Sequence, residues 1–274
     1  MIYMEPSQLG WEALHKSFLL QLQDKSVTEI YLSLYESLVE WLVPLTIDTL
    51  KTCQKVIEIP TMQMYQMMST FFMNFLTKHT NYNQTWFQQI FLFCYAWAYG
   101  SNLTIEGRKV MESVLRKVLY GGNENLPKPK NFSLNRGQMY PEKMIYMDYR
   151  FDEIETWWPW LKSEDCQFPP DVNVSEIMVP TKENGCIMYW ANHCVTNGIP
   201  MLLVGPTGTG KSATILNFLK DLPKDKFVMN SVNFSARTSA QQVQDLVMSK
   251  LDRRRKGVFG PPVGKNVSYS EFHK

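Results

Sequence analysis

The feature that most constrains this chain is one loop, Gly205–Ser212, which reads Gly-Pro-Thr-Gly-Thr-Gly-Lys-Ser. It fills every fixed position of the pattern G-x-x-x-x-G-K-[ST], in which a glycine-rich loop joins a buried strand to a helix. The apolar run Met201–Val204 before the loop predicts that strand. Ala213–Leu219 after the loop predicts the helix, because its apolar residues have helical spacing. The pattern therefore predicts an α/β domain organised around this loop.

The residue types of the loop suit a nucleotide phosphate. Gly208 and Gly210 allow the backbone to wrap around an anion without Cβ clashes, and the successive N–H groups would form an anion-binding nest. Lys211 is predicted to contact the β- and γ-phosphates, and the Ser212 hydroxyl to bind Mg²⁺. The predicted nucleotide-binding residues of the loop are Gly205, Pro206, Thr207, Gly208, Thr209, Gly210, Lys211 and Ser212. A glycine-rich turn that binds nothing is the alternative, which the complete pattern in its strand-to-helix context disfavours.

Composition excludes several classes of partner and site. The 274 residues leave room for about two domains. The net charge is only +2, from 28 basic and 26 acidic side chains, so there is no electrostatic case for nucleic acid. The five cysteines contain no C-x-x-C pair, which predicts reduced thiols rather than disulfides or zinc. The longest apolar run, Trp86–Tyr99, is too short to cross a bilayer, and the N-terminus lacks a signal-sequence pattern, so we expect no membrane partner.

The first 120 residues predict a helical domain with short loops. Predicted helices cover Trp11–Leu22, Val27–Val43, Ile47–Ile57, Thr61 to about Lys78, Asn83 or Thr85 to Tyr99, and Arg108–Leu119. Pro44 is expected to interrupt the second helix. His15 and His79 have no matching ligands and are interpreted as surface or capping residues. Residues 121–135, rich in Gly and Pro, predict a linker.

Residues 136–274 have a different composition and predict the α/β domain. Strands are expected near Met144–Tyr149 with Phe151, at Ile177–Thr181 and at Lys226–Phe234, and helices at Lys182–Thr196 and Ala240–Leu251, capped by Thr181 and Ser239. The aromatic group Trp157–Trp160 is expected to cover the edge of a core. Arg253–Lys256 is interpreted as a solvated helix end.

Three segments of this half resemble one known family. Gly205–Ser212, Val179-Pro-Thr181 with its following helix, and Arg255–Pro262 resemble the third AAA+ module of a dynein heavy chain, and the axonemal, inner-arm type fits best. Met1–Trp11 resembles the end of the preceding module, so residues 12–120 would be the small helical subdomain of the second module. The resemblance covers residues 1 to about 265. It implies the fold class of a partial AAA+ large subdomain, an α/β P-loop NTPase, preceded by an all-α subdomain.

The resemblance also implies a site and partners. Val179 and Pro180 would lie beside the adenine of ATP or ADP, with Mg²⁺ at the phosphates. The site would be regulatory and not the main hydrolysis site of an ATP-driven, minus-end-directed microtubule motor of cilia. Implied partners are the nucleotide, other AAA+ modules, dynein intermediate and light chains, and microtubules. The implied location is the cytoplasm, cytoskeleton and ciliary axoneme.

The sequence departs from the family pattern after Lys265. The family continues there with an apolar strand that ends in paired acidic residues, which position Mg²⁺ and the attacking water. Here the residues are Asn266–Lys274, and no acidic residue after the loop follows a run of four apolar residues. No catalytic residue is predicted, and enzymatic activity stays open. One alternative is a nonenzymatic, truncated isoform that binds dynein or axonemal partners. A small P-loop kinase or GTPase is disfavoured, because a strand-borne carboxylate and an Asn-Lys-x-Asp motif are both missing.

Overall fold

The structure is a computed structural model that describes residues 10–79, 81–121, 126–151, 157–161, 179, 181–235 and 237–273, without the side chains of 267–273. The chain divides into two compact units, Met1–Trp160 and Leu161–Lys274. This division lies later than the linker that the sequence predicted at residues 121–135. Each unit is described by itself below.

The first unit is a helical domain. Its helices are α1 Glu12–Asp24, α2 Glu29–Leu50, α3 Thr61–Lys78, α4 Gln84–Gly100 and α5 Ile105–Leu119. Helix α4 is apolar on nearly all sides and is almost wholly buried, as a central helix must be. Side chains cap two of the helices, since Asn83 accepts from Trp86 N at 2.8 Å and Thr104 accepts from Gly107 N at 3.2 Å. The boundaries of α3 to α5 therefore follow closely from local sequence.

Helix α2 continues through Pro44 to Leu50, so the predicted interruption at Pro44 is wrong. Proline removes one backbone hydrogen bond from a helix. Leu42 and Val43 are fully buried before it and Thr46 is buried after it, which offsets that loss. The Thr46 hydroxyl also donates to Leu42 O at 2.8 Å.

The predicted helix at Ile47–Ile57 is wrong beyond Leu50. Lys55 instead forms an isolated antiparallel bridge with Leu103, and Val56 N donates to Asn102 O at 2.7 Å. These bonds connect residues far apart in sequence, which helical spacing does not reveal.

Helix α2 is long and apolar enough, by length and composition alone, to cross a membrane. Half of its most apolar window is buried inside the unit, and core helices meet the same criteria. Tyr35 of this helix contacts Phe72 of α3 and Phe91 of α4, with ring centroids 5.1 and 5.5 Å apart. These contacts make α2 part of the aromatic core.

His15 is buried, so its interpretation as a surface or capping residue is wrong. Its Nδ1 lies 2.8 Å from the Tyr65 hydroxyl, which is 3.3 Å from the Tyr35 hydroxyl. Three aromatic side chains contact the imidazole: Trp11 just before α1, Tyr35 of α2 and Tyr65 of α3. The aromatic body of histidine therefore serves as a core side chain here.

Residues 126–151 and 157–160 pack on this helical unit, which explains why no boundary occurs at the predicted linker. Trp41 Nε1 donates to Leu126 O at 3.3 Å, and Asn131 Nδ2 donates to Ser37 Oγ at 2.9 Å. The segment also buries many large side chains: Phe132, Leu134, Met139, Tyr140, Tyr146, Met147, Tyr149, Phe151 and Trp160. Glycine and proline mark turns, but they do not tell whether the residues between them are buried.

The end of the unit contains a short hairpin. A 3₁₀ turn at Tyr146–Asp148 leads into β1 Tyr149–Phe151, which pairs antiparallel with β2 Trp157–Pro159. Trp160 is buried, donates from Nε1 to Met147 O at 2.7 Å and lies edge-on to Trp97. The aromatic group therefore covers the edge of the helical core, as predicted.

The second unit contains α6 Lys182–Thr196, α7 Lys211–Asp221, β3 Phe227–Phe234, α8 Ala240–Met248, β4 Asp252–Arg255, β5 Val258–Gly260 and β6 Asn266–His273. Its small core contains Ala191 of α6 with Phe218, Leu219 and Leu222 at the end of α7. Strands β3 and β6 pair in parallel over their full lengths. Among the described strands, β4 pairs only with β5. A helix and a hairpin thus connect two parallel strands, as an α/β domain requires.

The strand predicted directly before the loop is wrong. Met201–Val204 forms no strand, and Leu202 and Val204 are 85% and 77% exposed. A buried parallel strand needs neighbours, and in the described part of this unit β3 and β6 pair only with each other.

Arg253–Lys256 is not a helix end. Gly257, with φ +76°, reverses the chain, and Arg253–Arg255 lie in β4, with Lys256 in the turn. Helix α8 correspondingly ends at Met248 and not at Leu251. Glycine adopts the left-handed conformation readily, so Gly257 favours a hairpin turn here over continuation of the helix.

The chain has a strand beyond Lys265, contrary to expectation. Strand β6 pairs with β3 from Phe227↔Asn266 to Phe234↔His273. The sequence reading required a run of four apolar residues, whereas Val267 and Tyr269 alternate with polar residues. That alternation is the period of a half-buried strand.

Candidate functional site

The candidate loop leads directly into helix α7. Gly210 is the N-cap of α7 and has φ +78°, and Gly208 has φ +81°. An added Cβ would meet no atom within 4 Å at either position. The backbone conformation, and not crowding, therefore requires glycine at both positions.

The N-terminus of α7 presents unsatisfied backbone donors. No side chain caps this helix, so the N–H groups of Lys211, Ser212 and Ala213 have no acceptor within it. The next donor, Thr214 N, already bonds to Gly210 O at 2.9 Å. Free N–H groups at the positive end of a helix dipole form an anion site. The loop can therefore hold a phosphate group.

The Lys211 ammonium lies across the start of the loop. Its Nζ donates to Gly205 O at 2.8 Å and to Pro206 O at 2.5 Å, and it is 3.3 Å from Thr209 Oγ1. The Thr209 hydroxyl donates to Pro206 O at 3.0 Å, which stabilises the same turn. Carbonyl oxygens are neutral acceptors, so phosphate oxygens in their place would strengthen the bonds from Nζ.

The rest of the predicted phosphate site is open to solvent. Thr207, Gly208, Thr209, Gly210 and Ser212 are all exposed. No group of three His, Cys, Asp or Glu side chains in the described parts of the chain could hold a metal ion. The exposed Ser212 hydroxyl is one oxygen that a metal ion at this surface could bind.

Helix α6 meets the first turn of α7 through two polar side chains. The Thr214 hydroxyl donates to Asn184 Oδ1 at 3.4 Å, and Thr214 is buried. The α6 N-cap is Thr181, whose side chain accepts from Asn184 N at 3.1 Å, as predicted. The start of α6 is therefore tied to the residues that follow the loop. Sequence reasoning missed Asn184 and Thr214, because neither belongs to a motif.

Of the two residues predicted to contact adenine, the structure describes Val179 but not Pro180. Val179 is exposed, and Pro180 and most of the predicted strand at residues 177–181 lie outside the described residues. The structure brings the starts of α6 and α7 together through Asn184 and Thr214. Val179 comes two residues before the N-cap of α6.

Comparison with known protein families gives two matches in succession. The family described as "Dynein heavy chain AAA lid domain" matches residues 35–162. The family described as "P-loop containing dynein motor region" matches residues 166–270. The first lies almost wholly in the helical unit, and the second contains the loop.

Similar curated proteins extend this likeness along the whole chain. "Dynein axonemal heavy chain 3" of Homo sapiens is 35% identical over 97% of the chain and 7% of its own length. "Dynein axonemal heavy chain 12" of Mus musculus is 35% identical over 97% of the chain and 9% of its own length. "Dynein axonemal heavy chain 1" of Homo sapiens is 32% identical over 98% of the chain and 7% of its own length.

The chain thus spans less than a tenth of the length of these relatives. Both units match dynein families, in the order that the resemblance implied. The relatives also confirm the axonemal type. On this evidence the chain belongs to the axonemal dynein heavy chain family.

Proposed function

We propose that this chain binds ATP or ADP with Mg²⁺ through the loop Gly205–Ser212. The observation that carries the proposal is the uncapped N-terminus of α7, preceded by two left-handed glycines and crossed by the Lys211 ammonium. The N–H groups would bind the phosphates and Lys211 would neutralise part of their charge. Ser212 would bind Mg²⁺, and Val179 and Pro180 would contact the adenine. When bound, Mg²⁺ would supply positive charge that offsets the negative charge of the phosphates.

The helical unit would serve as the lid of the preceding AAA+ module. The lid-family match to residues 35–162 supports this assignment. It also supports a boundary near residue 160, because the matched range ends where the first compact unit ends. In this proposal the second unit is the start of the next module's large subdomain.

In the longer protein, this segment would belong to an ATP-driven, minus-end-directed microtubule motor. Axonemal dynein heavy chains belong to the cytoskeleton of the ciliary axoneme, which gives its location. The nucleotide site would be regulatory and not the main site of hydrolysis. Its partners would be other AAA+ modules, intermediate and light chains, and microtubules. Support comes from the family match to residues 166–270.

Nucleotide titration of the full chain tests the binding proposal. A fluorescent ADP or ATP analogue with Mg²⁺ should bind the wild-type chain saturably. Lys211→Ala removes a charge-assisted contact worth about 1.5–3 kcal/mol, so affinity should fall roughly tenfold to a hundredfold. Lys220→Ala is the matched control, because Lys220 is exposed in the last turn of the same helix.

Equal binding to wild type and Lys211→Ala would show that the loop is not the site. No binding to a wild-type chain with intact helical circular dichroism would instead favour the alternative of a nonenzymatic interaction protein. In that case the chain would act through dynein or axonemal partners and not through a nucleotide.

A further inference from the structure

The hairpin of β4 and β5 carries a run of four cations in the second unit. Arg253, Arg254, Arg255 and Lys256 follow one another and are all exposed. Gly257, at φ +76°, forms the turn to β5. We call residues 252–263 the basic hairpin. The whole chain has a net charge of only +2, so this run is a local concentration of charge.

One of the four cations stabilises the hairpin itself. Arg254 Nη2 donates to Pro261 O at 2.5 Å. Its Nε would lie 3.4 Å from a Cβ added at Gly260, so the guanidinium lies close over β5. Arg253, Arg255 and Lys256 form no ion pair with any residue that the structure describes. Three cations therefore remain available to a partner.

Exposed apolar side chains lie beside these cations. Arg253 is paired with Phe259 and Arg255 with Val258, and the strand register shifts by one residue between the two arginines. Phe259 and Val258 are 43% and 39% exposed, and the nearby Val263 is 81% exposed. Arginine and aromatic residues are enriched at the centres of protein interfaces. The basic hairpin thus combines charge and apolar area, as a protein-binding surface does.

The hairpin also has open edges. Strands β4 and β5 pair only with each other among the described strands, so each has one edge of unpaired backbone groups. Charged residues at such an edge protect a protein from unwanted strand pairing. Protection from strand pairing accounts for the arginines at this edge, but it does not account for the exposed apolar side chains of Phe259 and Val263. An extended peptide can pair with an open edge when its side chains complement those of the edge.

We propose that the basic hairpin docks an extended acidic segment of a partner protein. The partner's carboxylates bind Arg253, Arg255 and Lys256, and one of its apolar side chains packs on Phe259. Its backbone adds a strand to the open edge. A peptide fits better than a nucleic acid, because the aliphatic valines and the open backbone edge complement a peptide and not a phosphate chain.

Fluorescence anisotropy with a labelled, extended peptide of alternating glutamate and valine tests this proposal on the full chain. The double charge reversal Arg253→Glu with Arg255→Glu should weaken binding by at least about tenfold. The control reversal, Lys220→Glu with Lys224→Glu, makes the same change in net charge at exposed positions outside the hairpin. It should change the affinity by less than about twofold. Phe259→Ser should weaken binding and leave its salt dependence unchanged.

Unchanged binding of a nucleotide analogue to the hairpin variants would show that they remain folded. Three results would overturn the proposal: no binding of the peptide to the wild type, equal weakening by both double reversals, or no effect of Phe259→Ser. A single-stranded oligonucleotide or phosphatidylserine vesicles could bind more tightly than the peptide and lose that binding in the same hairpin variants. That result would also overturn the proposal and identify the other molecule as the ligand of the hairpin.

Discussion

The Arg116 guanidinium and the Glu112 carboxylate form an ion pair one turn apart on α5, and both also bind the segment that follows this helix. Arg116 Nη2 donates to Pro141 O and to Met144 O, each at 3.0 Å. Glu112 Oε2 accepts from Tyr146 N at 3.1 Å. The pair is largely buried. Its hydrogen bonds connect α5 to residues 141–146, which the sequence had assigned to the predicted α/β domain at residues 136–274. These bonds help to place residues 126–160 in the helical unit.

Loss of Arg116 should therefore destabilise the helical unit. Arg116→Met leaves the Glu112 carboxylate without its cation, and burial already raises the pKa of Glu112. Breaking a fully buried ion pair costs about 3–5 kcal/mol, and these two side chains are 18% and 10% exposed, so loss of this pair should cost about 2 kcal/mol in free energy of unfolding. Urea denaturation followed by circular dichroism measures this loss. Lys117→Met, an exposed neighbour on α5, should change the midpoint little. Equal effects of the two substitutions would contradict this role for the pair.

We expect the free energy of unfolding to decrease as the pH falls, because His15 is buried in the folded chain. Burial lowers the pKa of His15 below its ordinary 6.5, and Glu36 only partly opposes this. Between 6.5 and the lower pKa of the folded state, the unfolded chain binds more protons, so the free energy of unfolding decreases with falling pH.

The measurement compares urea midpoints at about pH 7.5 and about pH 5.5. His15→Gln should reduce the drop in midpoint between the two conditions. The control, His79→Gln at the end of α3, should keep the wild-type drop. A drop of unchanged size in His15→Gln would assign the pH dependence to other groups.

Alanine at Gly210 should weaken the phosphate site through the backbone. A non-glycine residue in the left-handed region costs about 1–2 kcal/mol. Gly210→Ala should therefore lower both the thermal midpoint and the affinity for the nucleotide analogue. At Gly205, where φ is not positive, a Cβ would make only ordinary contacts, at 3.7 Å to Thr209 Oγ1 and 3.8 Å to Lys211 Cδ. Gly205→Ala should lower the thermal midpoint less, and the reverse order would refute the strain argument.

The isolated chain should bind MgATP without turning it over. Hydrolysis at such sites needs a group to position water and, in many of these proteins, an arginine donated by a neighbour, worth about 10³–10⁵ in rate. The sequence after β3 provides no carboxylate at the end of an apolar strand. Phosphate release under excess MgATP measures turnover, with Lys211→Ala protein as the control for contamination. Release near one per second, lost in Lys211→Ala, would reject the prediction and make this chain an ATPase.

Local features of the sequence were sufficient to predict the helices on both sides of the loop. Helix α6 begins where Thr181 caps it, and α7 begins at the lysine of the phosphate-loop pattern. Caps, helical spacing and left-handed glycines act within a few residues, so they are visible in the sequence. The same applies to α3 and to the capped starts of α4 and α5.

Other features depend on contacts between distant parts of the chain. Burial of α2 on both sides of Pro44 keeps that helix continuous, and the aromatic core encloses His15. Pairing with β3 makes residues 266–273 a strand, whereas the more apolar Met201–Val204 forms none. Strand formation and burial depend on partners that lie far away in sequence, and residue type and spacing do not identify those partners. The sequence alone therefore determined the glycine-rich loop and the helices on either side of it, and the tertiary structure decided which segments form strands and which polar side chains are buried.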